Sequence, residues 1–251
     1  MDSLNLLLVL VIYAIGLTTA LAFGGHRSAS TATATGTRDR PERILVIGAT
    51  GRTGRHLVTQ ALERGYAVTA FARDPSQLEV RHPRLTIAQG DVLDAASVEG
   101  VMPGHDAVVS ALGHRRYFSL SRTHADGTRH ILEAMRRHRV RRLVCLTSLG
   151  LGDSAGRLGM PYNLFVIPLL LPIYFWDKAR QERLIAKSDV EWIIVRPGSL
   201  NNGAKRERVN TGAKVGSYLW TVRVSRANVA DFMLNQLTSD TYLRAAPGLA
   251  W

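Results

Sequence analysis

The chain has 251 residues, 46% of them hydrophobic, which is enough for one α/β domain of ordinary size with a substantial core. A formal charge of +12 invites a nucleic-acid partner, but the basic residues argue against a dedicated binding surface: lysine occurs only as Lys178, Lys187, Lys205 and Lys214, and the arginines are spread along the whole length. The densest run, Arg136 to Arg142, falls where a helix is expected to end, a place that suits cations anyway, and carries no aromatic side chains to stack bases.

Loose attraction to anionic lipid stays open on charge alone. Cys145 is the only cysteine. An internal disulfide and a cysteine-based zinc site are therefore excluded, no metal site is expected, and the usage fits a reducing compartment.

Leu4 to Phe23 carries no charge and is long enough to cross a bilayer as a helix. As a transmembrane anchor followed by Arg27, Arg38, Arg40 and Arg43, it would leave the remainder of the chain in the cytoplasm. The alternative is a cleaved secretory signal, with Ala20-Leu21-Ala22 as its small-residue cleavage site and a soluble mature protein as the result. The length of the run, and Asp2 where basic residues would be wanted, favour the anchor. Residues 24–41, rich in Ser, Thr, Ala and Gly, have the composition of a flexible linker. The expected organisation is 1–23 anchor or signal, 24–41 linker, and 42–251 a nucleotide-binding domain with a small C-terminal substrate region.

Ile44 to Gly54 reads Ile-Leu-Val-Ile-Gly-Ala-Thr-Gly-Arg-Thr-Gly. A short apolar strand breaks into Gly48, Gly51 and Gly54, and a helical pattern continues through Leu62. The three glycines can serve a tight turn, the close approach of a pyrophosphate to bare backbone, and close packing of helix on strand. Free N–H groups at the start of the helix then favour phosphate. Ala67 to Ala72 is the second strand, ending in Arg73-Asp74. A carboxylate usually stands just past this strand to hold the ribose 2′-hydroxyl of NAD; an arginine suits the 2′-phosphate of NADP(H), and Arg52 can reach the same phosphate.

From Arg43 onward strands and helices alternate, the signature of a doubly wound parallel sheet, the Rossmann fold of the α/β class. Leu85 to Ala88 is the third strand, Ala95 to Val101 a short helix with Asp94 as N-cap, and Ala107 to Leu112 the fourth strand. Ala125 to His138 is helical, Arg142 to Thr147 is the fifth strand, and Tyr174 to Ala186 is a further helix. Trp192 to Val195 is the sixth strand, ending in Arg196-Pro197-Gly198, and Arg226 to Leu237 is a late helix.

With Gly-Ala-Thr-Gly-Arg-Thr-Gly, Arg73-Asp74, Gly90-Asp91-Val92, Ala111-Leu112-Gly113, Thr147-Ser148 and Val195-Arg196-Pro197-Gly198, residues 43 to 249 resemble the atypical short-chain dehydrogenase/reductases. The nearest branch is the NAD(P)H-binding, NmrA-like group that includes biliverdin-IXβ reductase (flavin reductase). The resemblance implies NADP(H) as cofactor, with Gly48, Thr50, Gly51, Arg52, Thr53, Gly54 and Arg73 at its phosphates. It places Asp91 and Val92 beside the adenine, Gly113 near the ribose, and Pro197 and Gly198 by the nicotinamide. It implies Ser148, Tyr174 and Lys178 as catalytic residues. Tyr174 and Lys178 carry the Y-x-x-x-K spacing that puts both on one helical face, where a lysine favours the phenolate and helps a tyrosine pass a proton.

Met160 to Trp176 is strongly apolar, interrupted by Pro161, Pro168 and Pro172, and too short to span. It has three possible places: buried core, the wall or lid of a substrate pocket, or the membrane surface beside the anchor. The expected function is an NADPH-dependent oxidoreductase delivering hydride to a carbonyl, flavin or quinone-like acceptor of apolar or aromatic character. The alternatives on the same fold are a non-catalytic NADP(H)-binding sensor or assembly factor, and an epimerase-type enzyme.

Overall fold

The computed structural model describes residues 3–24, 39–113 and 123–251. Most of the linker expected over 24–41 lies outside the described residues. Helix α1 (Ser3–Gly24) is followed by β1 (Arg43–Ile47), α2 (Arg52–Glu63), β2 (Ala67–Ala72), β3 (Leu85–Gln89), α3 (Ala95–Val101), β4 (Ala107–Ser110), α4 (Thr123–Arg137) and β5 (Arg142–Leu146). A π-helical segment, Tyr162–Leu170, leads into α5 (Pro172–Ala186). Then come β6 (Glu191–Pro197), β7 (Ser199–Asn201), β8 (Asn210–Gly212), β9 (Arg223–Ser225), α6 (Arg226–Asn235) and β10 (Gly248–Ala250).

Eight strands form one sheet in the order β3-β2-β1-β4-β5-β6-β10-β8. All neighbours pair parallel except β10 with β8. The first six strands run in the doubly wound order, so the strand sequence reverses direction between β1 and β4, where such sheets open a crevice for ligands. Both faces are covered. Ile44, Val46, Val68, Val109, Val144 and Ile193 meet α2 and α6 on one side. Leu45, Ile47, Val108, Leu143, Cys145 and Ile194 meet α3 and α4 on the other. Burial on both faces is why these strands read as unbroken apolar runs rather than alternating ones.

Local signals account for the helix ends. Asp94 caps α3 by accepting from the Ala96 N–H, as its position predicts. Ser225 does the same for α6 through the Asn228 N–H. Pro172 opens α5, where its missing N–H costs nothing, and Tyr174 is the third residue of that helix.

The N-terminal expectation is corrected. Among the described residues no helix is long and apolar enough to cross a membrane, so the transmembrane anchor does not stand, and the cytoplasmic placement that rested on it falls too. One side of α1 packs on protein, while Leu8, Val9, Ile12, Tyr13 and Ile15 on the rest of it are exposed. Ala14 and Leu21 are buried, and Leu17 and Leu21 pack with Leu149, Leu151, Leu158, Ile167 and Phe175. Of the segment from Met160 to Trp176, Ile167, Pro168 and Phe175 are buried in the core, whereas Met160, Phe165, Leu169, Leu170 and Trp176 are about half exposed.

Candidate functional site

Because β1 to β6 are all parallel, the segments that follow them emerge along one edge of the sheet. This edge gathers the Gly48–Gly54 loop, Arg73, Asp91-Val92, Ala111–Gly113, Thr147-Ser148 and Pro197-Gly198. Every sequence-predicted site residue lies on this edge or on α5 beside it.

The glycine loop is built for close approach. Gly48 has φ +79°, and a Cβ there would stand 2.7 Å from the Ala111 carbonyl oxygen of the neighbouring strand's extension. At Gly54 a Cβ would lie 2.0 Å from the Gly48 oxygen, so α2 can pack this tightly against the loop only with glycine. Gly51 is the N-cap of α2 and offers no side chain to the first-turn N–H groups. Those donors, with the partial positive charge of the helix start, fit a pyrophosphate. Thr50 lies in the turn, Thr53 is buried in the first turn of α2, and Arg52 is exposed beside it.

Arg73 is exposed just past β2. Its neighbour Asp74 is occupied in capping the next turn, accepting from the Ser76 N–H at 3.2 Å and from Gln77 Nε2 at 2.7 Å. These hydrogen bonds hold its carboxyl below the ordinary range, the side-chain bond from Ser76 foremost. Past β3, Gly90 lies against the Phe71 ring. Asp91 accepts from the Leu93 N–H at 3.0 Å, and Val92 is buried against Gly127 of α4. Gly113 is exposed beyond β4. Pro197 and Gly198 are buried, and Gly198 lies so close to the Val222 carbonyl that a Cβ would meet it at 2.7 Å.

Ser148 is half-buried at the end of β5. On α5, Tyr174 is half-buried and Lys178 fully so. The Lys178 Nζ stands 5.3 Å from the centre of the Tyr174 ring and donates to the Leu146 carbonyl at 3.3 Å, two residues before Ser148. The sheet edge and the helix are thus tied at the predicted lysine. Burial lowers the Lys178 pKa from its ordinary 10.5 to about 8, although the nearby Cys145, Glu182 and Asp177 oppose that shift.

Two buried clusters beside these residues escaped the sequence reading. In the first, Arg196 of β6 grips Glu182 of α5 through Nε to Oε1 at 2.9 Å and Nη2 to Oε2 at 2.7 Å, and also pairs with Asp153. Thr147 donates to the same Glu182 oxygen at 2.7 Å. Burial works against the charge on Arg196, but the Glu182 and then the Asp153 carboxylates outweigh it and raise its pKa. In the second, Asp177 of α5 faces His124 at the start of α4, with Oδ2 2.9 Å from Nδ1. The visible signals were an arginine inside an apolar strand and a glutamate one turn beyond Lys178.

Fold and site together define a Rossmann-type dinucleotide-binding protein. The family pattern described as NAD(P)H-binding matches residues 48–240. The chain belongs to this NAD(P)H-binding family. An uncharacterised chloroplastic protein of Arabidopsis thaliana is 32% identical over 172 residues, 65% of this chain and 61% of that one. A 3-diazoavenalumate denitrifying reductase of a Streptomyces species is 31% identical over 176 residues, 63% of this chain and 56% of that one. The chain therefore spans about three-fifths of the length of these relatives. Among solved structures, a short-chain dehydrogenase/reductase of Veillonella parvula in complex with NADP superposes with a TM-score of 0.71 at 17% identity, over 84% of this chain and 95% of that one.

Proposed function

We propose that the protein is an NADPH-dependent oxidoreductase that reduces a carbonyl, flavin or quinone-like acceptor of apolar or aromatic character. The observation that carries this reading is the juxtaposition of Tyr174 and Lys178 on one face of α5, with the lysine bonded to the end of β5 that presents Ser148. The glycine cradle supports the cofactor half: its backbone fits a pyrophosphate, and Arg52 and Arg73, both exposed beside it, suit a 2′-phosphate. Asp91 and Val92 flank the adenine in this reading, Gly113 the ribose, and Pro197 and Gly198 the nicotinamide.

When bound, NADPH supplies a hydride to the acceptor and leaves as NADP⁺. The chain's own residues handle orientation and the proton. The Ser148 hydroxyl donates a hydrogen bond to the acceptor oxygen and fixes its direction. The Tyr174 hydroxyl releases its proton to that oxygen as charge develops there, and solvent later reprotonates the phenolate. Lys178 favours that phenolate by its charge. An apolar acceptor is supported by the aromatic and apolar side chains of the segment that leads up to Val222, the residue packed on Gly198. Tyr162 shares a hydrogen bond of 2.9 Å with Ser199, the Trp220 backbone covers Gly159, and Tyr218, Leu219 and Trp220 are exposed.

The test is NADPH consumption by the purified full chain against a panel of menadione, flavin mononucleotide and aromatic aldehydes. Consumption matched by reduced acceptor is expected with at least one of them. Tight NADPH binding without consumption in the whole panel would leave a cofactor-binding sensor and overturn the enzyme reading.

A further inference from the structure

His124 is the second residue of α4 and is sealed from solvent, with a fractional exposure of 1%. The carboxylate of Asp177 holds it from the neighbouring helix. One oxygen lies 2.9 Å from both the backbone N–H nitrogen and the Nδ1 of His124, and the other accepts from the Ala125 N–H at 3.2 Å. Asp177 therefore caps α4 from outside that helix and locks the imidazole in one orientation. It also fixes the tautomer, since an ionised carboxylate requires the hydrogen on Nδ1. Burial works against ionisation of Asp177, but the hydrogen bonds and charge from His124, with the two backbone N–H groups, hold its carboxyl below the ordinary range.

This fixed ring meets Tyr174. Their centroids are 5.0 Å apart and their planes cross at 87°, the edge-to-face arrangement that aromatic rings prefer. Tyr174, Asp177 and Lys178 stand at i, i+3 and i+4 on α5, so one helix face carries the phenol, the carboxylate that holds the imidazole, and the ammonium. Simple packing between α4 and α5 does not call for this. Burying a carboxylate and an imidazole has a desolvation cost that two apolar side chains of similar size would avoid. What the pair adds is a ring whose orientation is held by the Nδ1 bond to a carboxylate that two backbone N–H groups fix in turn.

We propose that His124, clamped by Asp177, is a positioning residue for Tyr174: its ring fixes the angle at which the phenol is presented to the site. The catalytic use of that angle rests on the oxidoreductase reading, whereas the angle itself does not. The test therefore has two arms, run on the full chain. In the first, the tyrosines are replaced by 3-fluorotyrosine and the fluorine resonance of Tyr174 is assigned by its loss in Tyr174→Phe. His124→Gln can keep the hydrogen bond to Asp177 but has no ring; His124→Phe keeps a ring but loses the bond. The expected result is that His124→Gln shifts and broadens the Tyr174 resonance, and that His124→Phe, which keeps a ring but not the clamp, shifts it less. In the second arm, NADPH oxidation with menadione should fall about ten- to a hundredfold in kcat for His124→Gln, with the NADPH dissociation constant unchanged, and recover in part in His124→Phe. A resonance undisturbed in His124→Gln, or moved as far in His124→Phe, overturns the proposal; should His124→Phe fail to fold, His124→Gln decides alone. If the unmodified protein does not oxidise NADPH with menadione, that bears on the oxidoreductase reading, and the resonance still decides the positioning.

Discussion

The carboxylate of Glu182 and the guanidinium of Arg196 meet through two hydrogen bonds, of 2.9 and 2.7 Å, with both side chains sealed from solvent. Glu182 lies one helical turn beyond Lys178, and Arg196 immediately precedes Pro197 at the edge of the sheet. The pair therefore fastens α5 to β6 between the two halves of the candidate site. Thr147, the residue before Ser148, donates to the same carboxylate and brings β5 into the joint. Bidentate geometry fixes direction as well as distance, so the rotation of α5 against β6 is held here.

Removing one member should be far worse than removing both. Glu182→Leu leaves the Arg196 guanidinium buried with only Asp153, and should cost about 3–5 kcal/mol of stability in a urea titration. Glu182→Leu combined with Arg196→Met removes both charges and should regain most of that loss. Equal stability of the single and double variants would show that the pair is not the joint described.

Cofactor choice is the next expectation. If Arg73 meets the 2′-phosphate, NADPH binds more tightly than NADH, and Arg73→Asp narrows or reverses the difference. Losing a charge-assisted phosphate contact should cost on the order of 1.5–3 kcal/mol of NADPH binding, measured by titration calorimetry. Equal affinity of the unmodified protein for both dinucleotides would sink the assignment.

What was legible in the sequence follows from which interactions are local. The strand of Ile44 to Ile47, the glycine turn and the start of α2 lie within one continuous stretch, and their chemistry is visible from residue type and spacing. The Glu182–Arg196 pair joins two elements through the tertiary fold. The His124–Asp177 pair is 53 residues apart, beyond any periodicity. The N-terminal expectation failed for a related reason. An uncharged apolar run states that a helix needs an apolar partner without saying whether that partner is lipid or protein. Here Leu17 and Leu21 are met by Leu149, Leu151 and Phe175, side chains far along the chain.

Lys178 should leave a signature in stability against pH. Its folded pKa is depressed, from 10.5 to about 8, so above pH 8 the unfolded chain keeps a proton that the folded chain has released. Stability then rises with pH through that window, and the burden of the buried ammonium is greatest below it. Lys178→Met removes the burden. The stability difference between variant and unmodified protein should therefore shrink by about 1 kcal/mol between pH 7 and 9. Cys145, its thiol pushed up to about 12 by burial, is present in both proteins and adds an opposing trend only above the ordinary thiol value of 9.0, so the range below that value reads the lysine. A difference constant across this range would show that Lys178 is not desolvated in solution.

The chemistry itself is tested at Tyr174 and Ser148. With an acceptor that is turned over, Tyr174→Phe should keep NADPH affinity within a few-fold and lower the rate roughly 10²–10⁴-fold, the range for loss of a general acid. The phenyl ring keeps the ring contact with His124 and the approach of Lys178. Ser148→Ala should also lower the rate without weakening NADPH, because its hydroxyl is assigned to the acceptor. The pattern across the two variants is more informative than either number. A nearly silent Tyr174→Phe beside a damaging Ser148→Ala would mean that solvent supplies the proton while Ser148 still orients the acceptor. Silence in both, with every acceptor tried, would remove hydride transfer at this site and leave NADP(H) binding as its activity.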